Sequence, residues 1–182
     1  MTTETNLPIL AELKYIPYID DDGKLPEEYQ GKIGVYAIFD TNQILQFIGY
    51  SRDVFLSLRQ HLIRQPQACC WVKVETIKQP SRSILEAIEK AWIFENGSIP
   101  VGNGSDKNKW VEPIDTKILM TPEELANYES PRHDEITKMK ILKNVARRVE
   151  GEILAILQGR GLQEQVRFNP KLKEEGLLDL KS

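Results

Sequence analysis

At 182 residues, with 41% apolar and 28% charged side chains, the chain has the makeup of a globular protein long enough to bury a core. Its net charge of −3 argues against a strong non-specific nucleic-acid binder, because phosphate affinity is built from Lys and Arg. No apolar run approaches the ~20 residues of a membrane span, and MTTETNLPIL lacks a basic region followed by an apolar stretch, so a soluble, cytoplasmic protein with no membrane partner is expected.

The charge is unevenly spread. Residues 1–30 hold seven acids against two bases, 31–112 hold ten bases against eight acids, and 113–182 are balanced at twelve each. Three segments are expected: an acidic N-terminal arm (1–30), a faintly basic domain (31–112) and a helical C-terminal extension (113–182). The arm mixes apolar residues with Pro, Asp and Gly and predicts an ordered but irregular lead-in. Asp20-Asp21-Asp22-Gly23 lacks the ligand spacing and terminal Glu of a calcium loop and reads as a solvated turn.

Two apolar segments, IGVYAIFD and ILQFIGYS, flank the turn-forming Asp40-Thr41-Asn42-Gln43 and predict a β-hairpin. The hairpin sets one aromatic from each strand near a glycine, where backbone can approach a ligand closely. Ser51 or Asp53 can then cap a helix through Val54, Leu58 and Leu62 that ends by Pro66. CCWVKVETI alternates enough for a third strand. The adjacent Cys69 and Cys70 match no zinc spacing and read as two reduced, buried thiols, with a redox or metal site as the minor alternative. Ser81 caps a helix to about Glu95 with Ile84, Leu85, Ile88 and Trp92 along one stripe. Gly97, Pro100, Gly102 and Gly104 predict a loop.

Further on, Thr121-Pro122-Glu123-Glu124 combines a Thr cap, Pro at the first helical position and a capping-box Glu. From about Arg132 to Gln158, Ile136, Met139, Leu142, Val145, Val149, Ile153 and Ile156 form an apolar seam, closed by Gly159-Arg160-Gly161. The seam is expected to dock on the core or the N-terminal arm, with a homodimer contact as the alternative. The tail LKEEGLLDLKS is expected to be loosely ordered.

Gly34-Val35-Tyr36, Phe47-Ile48-Gly49, the following helix, Glu89 and Asn103 occur in the order that resembles the GIY-YIG nuclease superfamily, over about residues 31–112. The resemblance implies an α+β GIY-YIG domain: a three-stranded antiparallel sheet with packed helices, here with a helical C-terminal extension. It also implies metal-dependent phosphodiester hydrolysis of nucleic acid, DNA over RNA, with Mg²⁺ or Mn²⁺ on Glu89. Tyr36 corresponds to the first signature tyrosine, which helps activate water; Asn103 orders the site; and His61 falls where several members carry a histidine. Phe47 and Gly49 would line the substrate.

Two departures from the pattern bear on activity. The second tyrosine is Phe47, and the helix arginine expected eight residues after Gly49 falls on Ser57, which cannot form a bidentate phosphate clamp. Loss of such a contact costs on the order of 10²–10³ in rate. Arg59, about 200° round the helix from Ser57, and Arg52, in the turn before it, are the candidate substitutes. The alternative is a degenerate module that binds a partner and no longer cleaves. Within the superfamily, GVYAIFDTNQILQFIGYSRDV and IPVGNGSDKNKW resemble the GIY-YIG-like N-terminal domain of the plant plastid monothiol glutaredoxins. A photosynthetic, cyanobacterial stand-alone form is therefore expected. The two cysteines form no CGFS-type site, so no iron–sulfur role is carried over.

Overall fold

The computed structural model describes residues 6–181, as two compact units that divide between Val111 and Glu112. In the first unit, alternation and β-branched residues produce β2 (Ile33–Phe39) and β3 (Leu45–Ser51), paired as an antiparallel hairpin. Asp40 builds the connection. Its carboxylate accepts from the backbone N–H groups of Asn42 (2.9 Å) and Ile44 (3.0 Å), while Gln43 takes a positive φ of 60°.

β4 (Trp71–Ile77) pairs with the other edge of β2, antiparallel, placing Tyr36 opposite Gly49 on one side and Val74 on the other. The sheet has four strands rather than three. The arm contributes β1 (Ile16–Pro17), and the order is β1-β4-β2-β3. A two-residue strand containing proline gives no periodic signal, and proline is tolerated there because the strand lies at the edge of the sheet.

β2 is the central strand and is buried along almost its whole length. Val35, Ala37 and Phe39 pack with Leu85, Ile88 and Trp92 of α2 (Arg82–Asn96), whereas Tyr36 points to the opposite face and meets α1 (Val54–Arg64). Between Ile38 and Phe39 the register shifts, so β3 carries one extra residue. That bulge lets Leu45 and Ile48 join the same core cluster despite their odd separation.

Local caps fix the helices that carry the site. Asp53 caps α1, its carboxylate accepting from Leu56 N (3.2 Å), while the Ser51 hydroxyl bonds the Asp53 backbone instead. Ser81 caps α2, which ends at Gly97 in the left-handed conformation (φ 81°). The expected loop is more structured than its glycines suggest: a 3₁₀ turn at Val101–Asn103 precedes α3 (Lys107–Val111), which buries Trp110. The arm is tied down as well. Glu95 accepts from Leu10 N and Ala11 N (2.8 Å each), and the buried Lys73 amine donates to Leu10 O (3.1 Å).

In the second unit, β5 (Ile114–Asp115) pairs antiparallel with β6 (Leu177–Leu178). α4 (Pro122–Glu129) has the full capping box between Thr121 and Glu124. α5 (Glu135–Gly159), capped by Asp134, carries the long seam. Leu142, Val145, Ala146, Val149, Ile153 and Leu157 are buried, while Ile136 stays 61% exposed. Contacts onto α5 within the unit come from the turn Thr116–Leu119, α4, α6 (Pro170–Lys173) and β6.

The tail is therefore ordered, contrary to its reading as a loose end. Leu178 is fully buried, and Gly176 O accepts from both the backbone and the hydroxyl of buried Thr116. Arg148 closes the unit by bonding Glu124, Glu152 and Leu119 O at 2.7–3.0 Å. No helix among the described residues is long and apolar enough to cross a membrane.

Candidate active site

A cleft of about 490 Å³ opens on the first unit between α1, β3, α2 and the 97–111 segment. Its lining includes Tyr36, Phe47, Gly49, His61, Glu89 and Asn103. Those six of the sequence-derived candidates come together. Arg52 and Arg59 are not part of the lining. Arg52 lies exposed in the turn before α1, and Arg59 sits on a different side of that helix from Ser57 and His61.

Tyr36 and His61 meet within the cleft. The Tyr36 hydroxyl and His61 Nε2 are 2.8 Å apart, with both residues almost wholly buried. Burial holds the Tyr36 phenol well above its usual range, against the opposing pull of Ser57 and the Arg64 charge. Tyr36 is therefore a neutral phenol at any physiological pH. Burial, and then the Arg64 charge, push His61 down to about 3, so its imidazole is neutral too. Nδ1 of His61 is buried, and the Trp110 backbone beside the ring draws the pKa back up in part. The pair is a neutral phenol beside a neutral imidazole, able to pass a proton along the hydrogen bond.

The ring of His61 also belongs to an aromatic cluster. Phe47 stacks on Trp110 with ring centres 5.4 Å apart and planes 5° from parallel, and His61 lies 4.6 Å from Phe47. Phe47 is thus packed against Trp110, and with no hydroxyl it offers its neighbours only ring surface. Gly49 is required by this packing. A Cβ there would meet Phe47 Cε1 at 2.6 Å and the Tyr36 hydroxyl at 2.8 Å.

Asn103 is fully engaged with backbone. Its Oδ1 accepts from Ile48 N (2.8 Å) and its Nδ2 donates to Ile48 O (2.7 Å). This clamps the 97–111 segment onto β3 next to Gly49. Gly102 makes the close approach possible, since a Cβ there would fall 2.7 Å from Gln46 O. Asn103 therefore spends its side chain on the Ile48 backbone.

Glu89 is the carboxylate of the cleft. Burial, reinforced by the neighbouring Glu86, raises its pKa above the ordinary glutamate range, while Lys107 and Lys90 draw it back. Glu86 is turned to other partners, accepting from Arg82 Nε (2.8 Å) and the Tyr50 hydroxyl (3.2 Å). Among the described residues, no three His, Cys, Asp or Glu side chains cluster as a metal cage. A single carboxylate suits Mg²⁺ or Mn²⁺, which keep most of their waters and are held jointly by a carboxylate and substrate phosphate.

Several cleft residues escaped the sequence reading: Tyr50, Gln60, Arg64 and Lys107. The signal for two of them, Gln60 and Arg64, was available. Ser57, Gln60, His61 and Arg64 recur at steps of three, one and three residues and so share one face of α1. Cys69 lies buried behind the site, its thiol toward His61 O at 3.5 Å, and neither cysteine is in a disulfide.

Over 171 residues the chain is 32% identical to the chloroplastic bifunctional monothiol glutaredoxin-S16 of Arabidopsis thaliana. The similarity takes in 90% of this chain and 54% of the plant protein, so the chain spans about half the length of that relative. No protein-family model matches the chain.

Proposed function

We propose that the first unit is a GIY-YIG-type module that hydrolyses phosphodiesters in nucleic acid, DNA over RNA, with a divalent cation on Glu89. The observation that carries the reading is the convergence of the Tyr36–His61 pair and the half-buried Glu89 on one cleft. Neither feature alone would distinguish a site from ordinary packing. Together they supply a proton path and an anionic cation ligand within one cavity, which hydrolysis of a phosphodiester requires.

In this reading the cation, when bound, offsets charge developing on the phosphate. The chain's own groups manage the proton. A water attacks phosphorus as its proton passes to the Tyr36 oxygen, and the phenolic proton moves to His61 Nε2. The P–O bond to the leaving oxygen breaks, and that oxygen takes a proton from solvent. His61 is a weak base before substrate arrives, partly because of the Arg64 charge. A phosphate anion in the cleft opposes that charge and raises the basicity of His61 when it is needed.

A second reading is a module that binds a partner without cleaving. It is favoured by the packing of Phe47 on Trp110 and by the lack, among the described residues, of a three-ligand cluster of His, Cys, Asp or Glu at Glu89. Metal dependence separates the two. Under the nuclease reading, the protein nicks supercoiled plasmid with Mn²⁺ or Mg²⁺, stops with chelator and resumes when metal is restored. A folded sample that leaves the plasmid intact at every metal concentration would favour the binding module.

A further inference from the structure

Arg64 reaches the same face of α1 as Ser57, seven residues further along, and both line the cleft with Gln60 and His61. It is the one arginine of α1 in that lining. Its side chain is held, with Nη1 donating to Trp110 O at 3.1 Å. Trp110 is itself buried and stacked on Phe47, so this anchor is rigid. A guanidinium carries its donors in a planar fork, and an anchor at one end orients the plane. Arg64 lines the same cleft as Tyr36 and His61, and its charge acts on both. Lys107, the other lining cation, is exposed and carries a point charge on a flexible stem.

We propose that Arg64 is the phosphate-binding cation of this cleft, supplying from the C-terminal end of α1 the contact that Ser57 cannot make. The inference rests on the nucleic-acid reading above and specifies which group holds the scissile phosphate. Ser57 is occupied elsewhere. Its hydroxyl bonds Ser51 Oγ (2.7 Å) and leaves the arginine's task to a residue two turns away.

The test separates binding from cleavage. A fluorescein-labelled DNA duplex is titrated with wild type, Arg64→Gln and Arg64→Lys in EDTA across a salt series, with thermal melts to confirm folding. The same proteins are then assayed for cleavage in Mn²⁺. The proposal expects Arg64→Gln to bind more weakly, with the slope of log affinity against log salt reduced by about one. Arg64→Lys should keep most of the slope yet cleave on the order of 100-fold more slowly, because the oriented fork is lost.

If wild type and Arg64→Gln bind with equal affinity and slope, the proposal is overturned, and Arg64 merely ties α1 to α3. Failure of wild type to bind at low salt overturns it as well. Weakened binding by Arg64→Gln with no cleavage by wild type would uphold Arg64 as the phosphate contact and refute the hydrolytic reading. If Arg64→Gln fails to fold, Arg64→Lys decides: wild-type cleavage by that variant contradicts the proposal.

Discussion

The hydroxyl of Tyr36 and Nε2 of His61 lie 2.8 Å apart although 25 residues separate them, one on the central strand and the other on α1. The contact exists because β2 alternates, sending Val35 and Ala37 to the α2 side and Tyr36 to the α1 side. Both partners are buried and neutral, so their hydrogen bond is strongly worth satisfying. Tyr36→Phe keeps the ring and removes the bond. Cleavage should fall by on the order of 10²–10⁴, the usual range for losing a positioned proton-transfer group. Single-turnover nicking rates measure it, and a wild-type rate in Tyr36→Phe would remove the pair from the mechanism.

His61 also sets an acid limit on stability. Its folded-state pKa of about 3 lies below the ordinary value of 6.5. The unfolded chain therefore takes up a proton as pH falls through 6.5, while the folded protein resists until about 3. The contribution is fully present above pH 6.5 and is lost as pH falls toward 3. Denaturant unfolding between pH 7.5 and 4.5 should show a shallower loss for His61→Gln than for wild type. Equal slopes would mean that His61 titrates normally in the fold.

Glu89 behaves with the opposite sign. Its folded-state pKa is raised, chiefly by burial, so the folded protein binds that proton more tightly than the unfolded chain does. Ionisation near neutral pH thus opposes folding, and the effect vanishes below the ordinary glutamate range. Glu89→Gln should melt higher than wild type at pH 8, with the two converging as the pH drops below about 4. A variant less stable than wild type at pH 8 would show that the carboxylate is a structural anchor.

Gly49 couples packing to the site. Alanine there would press on Phe47 and on the Tyr36 hydroxyl at separations below 3 Å. Relief must come from moving rings that are already stacked, so Gly49→Ala should cost about 1–3 kcal/mol and disrupt the Tyr36–His61 bond. Thermal melts read the first effect and nicking rates the second. A stable, fully active Gly49→Ala protein would contradict the tight packing described for this cluster.

Where the sequence pattern was regular, the elements were legible. Ser51 or Asp53, Ser81 and the Thr121–Glu124 box each announced a helix start, with Asp53 the actual cap of α1, and the apolar seam announced α5. The missed pieces are short and depend on distant partners. β1 is two residues stabilised by pairing with β4, and β6 is two residues paired with β5 across more than sixty positions. Neither has a periodicity to read.

Within the cleft, Tyr36, His61 and Glu89 are residues that the GIY-YIG resemblance singles out, and the fold brings them into one lining. Arg64 is seven residues from Ser57 in sequence yet shares its helix face, because helix faces repeat at three and four. Trp110, which packs against cleft residues without lining the cleft, gives no signal in the sequence. Its role comes from stacking on Phe47 and from lending its carbonyl to Arg64, contacts that only the folded chain creates.

The most direct test of the central claim is plasmid nicking by wild type and Glu89→Ala side by side in Mn²⁺, with melts showing that both are folded. The account predicts cleavage by wild type that chelator stops, and none by Glu89→Ala. Cleavage that survives the substitution, or a folded wild type that never cleaves, would contradict it.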